Sequence, residues 1–148
     1  MTDDDYGRLA ELRARLRGYL AWAEDAARDA GTTPMQFQLA LAVRASADQD
    51  GPTVSELAET LLLKHHSVVG LIDRAEAAGL VERHRDADHA ARVRVALTAD
   101  GAALLEQLAR RHQAHLAALA PEMHQAWSAF ATQDNDVASP LGAAVLGG

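Results

Sequence analysis

Cysteine is absent from the chain. Disulfides, thiolate metal sites and thiol redox sensing are therefore excluded. Aromatic residues make up only 4%, so the core must be built from Leu, Val, Ile and Ala. Leu and Ala are strong helix formers, and a mainly α fold follows. Lysine occurs once, at Lys64. No apolar run approaches the ~18 residues of a membrane-spanning helix. The start, Met1-Thr2-Asp3-Asp4-Asp5, is acidic with no apolar stretch behind it, unlike a secretory signal. A cytoplasmic protein with no membrane contact is expected. Gly-rich phosphate loops, nucleophile elbows and paired-carboxylate motifs are also missing. No catalytic residue, cofactor or enzymatic activity is expected.

The 148 residues suit one domain with one modest core. Net charge is −7, which taken whole disfavours nucleic acid. Its distribution points the other way. From Lys64 to Arg94 the cations Lys64, Arg74, Arg83, Arg85, Arg92 and Arg94 outnumber Asp73, Glu76, Glu82, Asp86 and Asp88 by one. His65, His66, His84 and His89 add potential positive charge there.

Periodicity organises the rest. Leu9, Leu12, Leu16, Leu20, Ala23 and Ala27 form one helical stripe over about 4–30, which Gly31 ends. Thr33-Pro34 opens a second helix, with Phe37 and Leu41 in a nearly all-buried stretch. Residues 47–52 read as a polar loop. Thr53 and Glu56 are spaced as a capping box for a short third helix ending near Leu61. After a break comes a fourth helix, about 65–78, with Val68, Val69, Leu71, Ile72 and Ala75 apolar and Gly79 as its left-handed stop. Leu80–Arg85 and Arg92–Leu97 then form a hairpin, its alternation predicting Val93, Val95 and Leu97 inward and Arg92 and Arg94 outward. Thr98 caps a fifth helix to about Leu119, and Pro121 opens a last short helix to about Thr132. Residues 133–148, rich in Gly, Ala and Asp, read as a flexible tail.

Helix, break, helix, hairpin is the order of a winged helix-turn-helix, whose second helix enters the major groove. Lys64-His65-His66-Ser67 over Val68-Val69 supplies the polar helix start and apolar rear face this requires. Thr53–Leu61, Ser67–Arg74 with Ala78–Arg83, and Arg85-Asp86-Ala87-Asp88 followed by Val93, Val95, Leu97-Thr98 and Gly101 together resemble the MarR family, over about Thr33 to Leu119. The resemblance implies a winged-helix lobe at about 33–98, with helices 4–30 and 99–132 dimerising within one domain, 1–132. It implies a homodimer on a pseudo-palindromic operator in double-stranded DNA, acting as a repressor released by a small aromatic or anionic effector. Lys64, His65, His66, Ser67, Gly70, Arg74, Arg83, Arg85, Arg92 and Arg94 become candidate DNA contacts. Tyr19, Trp22, Phe37 and Arg44 are the candidate effector pocket.

The chain departs from the family pattern at Ala90, where a wing-tip arginine is usual, and at Lys64, where a serine cap is usual. Its last helix is short. A non-catalytic helical dimer that binds protein through a degenerate wing is the competing reading. His112 and His115, one turn apart, with His124 as a third ligand, raise a metal site; polar positions on a helix flank explain them better, and no metal is expected.

Overall fold

The computed structural model describes residues 1–131, so the expected tail lies outside the described residues. Two compact units divide the described residues: 19–116, and 1–18 with 117–131. Helix α1, Asp3–Asp29, is followed by α2, Pro34–Ala45, α3, Val54–Leu61, and α4, His65–Ala77. Strands β1, Val81–Arg85, and β2, Val93–Leu97, precede α5, Ala99–Ala131.

Local chemistry sets these boundaries. The Thr33 hydroxyl accepts from the Gln36 N–H, with Pro34 at the first helical position. Thr53 and Glu56 form both bonds of the capping box. Lys64 precedes α4 without any side-chain cap. Gly79 ends that segment at φ +77°. The exception is Leu62, which caps α3 in the left-handed region at φ 54° and ψ 41°, a conformation costing an L-residue about 1 kcal/mol.

In the 19–116 unit, Leu39 and Val43 of α2, Leu57 of α3, and Val68, Leu71 and Ile72 of α4 enclose the core with Val81 and Val95 of the hairpin. The strands pair antiparallel, with Val81 opposite Leu97 and Arg85 opposite Val93. The core is sided: Leu41 is 46% exposed, and Gln38 and Arg44 also face out, so α2 is not nearly all buried as expected.

Thr98 joins α4, β1 and α5. Its amide donates to the Leu80 carbonyl at 3.0 Å and its hydroxyl donates to the Gly79 carbonyl at 2.6 Å. The same hydroxyl accepts from the Gly101 N–H at 2.9 Å, capping α5 as expected.

Pro121 does not open a new helix; it lies inside α5. Proline removes one backbone donor, but the Ala and Leu of 116–120 before it and Glu122, Met123, Gln125 and Ala126 after it are strong helix formers, which sustain the helix. In the unit formed by the chain ends, Arg15 pairs with Glu122 at 2.6 Å and Ala126 is buried. Tyr6, Leu9, Leu16, Trp127 and Phe130 remain exposed there, Trp127 at 61%.

Candidate nucleic-acid interface

The start of α4 carries Lys64, His65 and His66, all exposed, with Ser67 half-buried behind them. Val68, the first fully buried residue of the helix, anchors this turn to the core. Gly70 keeps the surface low: a Cβ there would stand 3.3 Å from the Arg74 guanidinium, so Arg74 lies back along the helix. Arg85, the last residue of β1, and Arg92, just before β2, are exposed at either end of the hairpin loop. Among the described residues, Lys64, Arg74, Arg85 and Arg92 form no ion pair.

Arg83 is otherwise employed. It pairs with Asp73 and, at 3.0 Å, with Glu76, and its guanidinium also donates to the Val69 carbonyl. It fastens β1 to α4, and its charge is neutralised locally.

Arg94 does not face outward. It is 8% exposed, with Nε donating to Asp86 at 2.6 Å and Nη1 to the Gly51 carbonyl at 2.7 Å. Asp48 pairs with it at 2.9 Å. Alternation along β2 fails here because the 47–53 loop lies alongside: Val95 N–H bonds to the Pro52 carbonyl, and Thr53 bridges to Arg94. Gly51, at φ +88°, permits that approach; a Cβ would overlap the Val95 carbonyl oxygen. Arg94 is a wing staple, and its place among the DNA contacts is corrected.

Asp86 organises the wing tip. Its carboxylate accepts from the backbone of Asp88 at 2.8 Å and of His89 at 3.3 Å, besides Arg94. The backbone bond from Asp88 contributes most, with the Arg94 hydrogen bond next, to holding its pKa down at about 2. The carboxylate is more acidic folded than unfolded, so its stabilisation of the wing is complete above pH ~4 and is lost as pH falls through about 2. An NMR titration of the Asp86 carboxyl carbon should give a midpoint near 2, with the Asp88 amide shift following it. A midpoint near 4 would show that the cradle does not form in solution.

The four residues expected to line an effector pocket do not converge. Tyr19, Trp22 and Phe37 pack with two histidines of α5. The Trp22 and His115 rings stack at 3.8 Å, Phe37 stacks on His112 at 4.5 Å, and the Tyr19 hydroxyl meets His112 Nδ1 at 3.1 Å. Burial, then the charges of His115 and Arg111, push the His112 pKa down and favour the neutral ring. Arg44 instead lines a depression of about 430 Å³ with Leu41, Leu97, Ala102, Leu105 and Glu106. Sequence reasoning missed His112 as a partner of the aromatics, although its spacing from His115 had marked the pair. Among the described residues, no cluster of three or more metal-ligating side chains occurs, and no helix is long and apolar enough to cross a membrane.

A capped helix pair, an exposed polar start on its second helix and a stapled hairpin define a winged helix-turn-helix protein. Residues 30–92 match the sequence profile described as the MarR family. A MarR family protein from Bacillus stearothermophilus superposes with TM-score 0.68 at 27% identity, covering 80% of this chain and 81% of that one. A mutant of MarR from E. coli, solved with operator DNA, gives 0.59 at 24% identity, covering 80% and 76%. CouR from Rhodococcus jostii, solved with p-coumaroyl-CoA, gives 0.62 at 22%, covering 82% and 90%. A search of curated protein sequences gives no match. Residues 30–92 thus resemble the MarR family, and the chain has the winged helix-turn-helix fold of its solved members.

Proposed function

We propose that this protein is a sequence-specific DNA-binding transcription regulator, a repressor that holds a pseudo-palindromic operator as a homodimer and is released by a small effector. The observation that carries the reading is the unpaired set Lys64, Arg85 and Arg92, lying with His65 and His66 on the recognition-helix start and wing, with Arg74 in the last turn of that helix, on a chain whose net charge is −7. Free cations on an otherwise acidic protein suit phosphate. His66 and Ser67 are the base readers, because they follow the N-cap of the helix that enters the groove. A cleft of about 310 Å³ between α3, α4 and the hairpin, lined by Ser55, His65 and Arg92 among others, gives the DNA backbone a seat.

Release by an effector rests on the Arg44 depression, where a guanidinium borders apolar Leu41, Leu97 and Leu105. That chemistry suits a small aromatic anion.

The test is operator binding as a function of salt, using sites selected from a random duplex library. Log affinity should fall linearly with log salt. Arg92→Ala should weaken all sequences alike and reduce the slope by about one unit. A slope near zero, with no selected sequence, would overturn DNA binding and favour a protein-interaction module, to which the uncharged wing tip at Ala90 and Ala91 is suited.

A further inference from the structure

Leu62 is 91% exposed and stands in the left-handed region at φ 54°. Each feature alone is unfavourable for leucine: the side chain leaves apolar surface in water, and the backbone is one that glycine adopts without strain. Both conditions are imposed by the turn. The Leu62 N–H bonds to the Glu59 carbonyl at 3.2 Å, and the Leu63 N–H reaches back to the Ala58 carbonyl at 3.0 Å. This is the double hydrogen bond that closes a helix through a left-handed residue. Leu63, the next residue, packs against the core, so the turn cannot unwind to bury Leu62 instead. A glycine would satisfy every structural demand at this position. Local strain without a structural beneficiary is characteristic of a residue kept for what it touches.

Its neighbours show which surface it belongs to. Lys64 is two residues on, and His65 begins the recognition helix. Leu62 thus stands in the turn that leads into the surface assigned above to DNA, two residues before Lys64. DNA offers an apolar side chain two surfaces at a groove edge, the thymine 5-methyl group and the C–H faces of deoxyribose.

We infer that Leu62 is an apolar DNA contact, reaching a C–H surface at the border of each half-site. The inference rests on the DNA-binding reading and adds to it a contact that salt does not weaken, because no counterion is released when it forms.

Leu62→Gly separates the structural from the functional role, since the two predict opposite signs. The variant should melt higher than the parent, because glycine relieves the left-handed strain. Its affinity for the selected operator should fall roughly three- to tenfold with an unchanged salt slope. Leu62→Asn, which tolerates the same backbone conformation, should lose affinity similarly, showing that the apolar group and not backbone flexibility is responsible. Repeating the measurement on operators with deoxyuridine in place of thymine identifies the surface. If the parent loses its advantage over Leu62→Gly on such sites, the methyl group is the partner; if it keeps it, deoxyribose is. Operator binding by Leu62→Gly equal to the parent's overturns the inference, and then leaves a protein partner as the use of this leucine. Failure of the parent itself to bind any duplex is a different result, overturning the DNA-binding reading beneath it.

Discussion

Replacing Gly101 with alanine should destabilise the protein by about 2–3 kcal/mol, read as a lower denaturation midpoint at unchanged slope. A Cβ at this position would overlap the carbonyl oxygen of Leu80, and the Leu80 carbonyl carbon and Cα lie close behind it. That carbonyl has no freedom to retreat. It accepts the Thr98 N–H at 3.0 Å, while the Thr98 hydroxyl is bound to both the Gly79 carbonyl and the Gly101 N–H. Relief of the overlap therefore has to break the joint where α4 ends and α5 begins. Because β1 starts at Val81, one residue beyond the obstructed carbonyl, the displacement passes into the wing, and operator affinity should fall with stability. Gly7→Ala is the control: nothing stands within 4 Å of its Cβ, so alanine in that helix should be neutral or stabilising by up to about 1 kcal/mol. A Gly101→Ala variant within about 0.5 kcal/mol of the parent would mean that the joint is loose.

The helix pair was legible because its signals are local. Thr53 and Glu56 cap α3 through bonds three residues apart, and Gly79 carries a positive φ that the residue type announces. The hairpin was legible in its boundaries but not in its faces. Alternation assigns Arg94 outward unless a third segment lies beside the strand, and Gly51-Pro52-Thr53 is that segment. Nothing in residues 47–52 alone says that a polar loop covers β2; the partners Asp48, Gly51 and Asp86 are 46, 43 and 8 residues from Arg94. The same holds for Arg83, whose partner Asp73 lies in the preceding helix. Pro121 misled for the opposite reason: a local breaker signal was overridden by the strong helix formers on both sides of it. The aromatic cluster shows the limit of composition. Tyr19, Trp22 and Phe37 were identified as a group, but the two histidines that fill the space between them come from α5, far along the chain. Arg44, grouped with them by type, borders a different depression.

Trp127→Asp should give the largest loss of operator binding of any single substitution outside the recognition helix, through assembly rather than contact. In the unit formed by the chain ends, Trp127 joins Tyr6, Leu9, Leu16 and Phe130 as exposed apolar side chains. Fully burying one such group contributes about 1.5–3 kcal/mol, so a two-fold partner that covers them gains enough to overcome the cost of association. A two-fold dimer also carries two recognition helices, which can engage half-sites about 34 Å apart. The second half-site then binds at high effective concentration, an advantage of roughly 10²–10⁴ in affinity. A carboxylate at position 127 would be buried without a partner in such an interface and should drive the protein to monomer. Sedimentation at micromolar concentration should show the parent as a dimer and the variant as a monomer. The variant's affinity for the full operator should fall about a hundredfold or more, while its affinity for an isolated half-site stays that of one lobe. The melting transition of residues 19–116 should be little changed, since Trp127 lies outside that unit. A parent that sediments as a clean monomer yet binds one full operator tightly would sink the dimer, and with it the pseudo-palindromic site. A variant that stays dimeric would place the interface elsewhere on the chain.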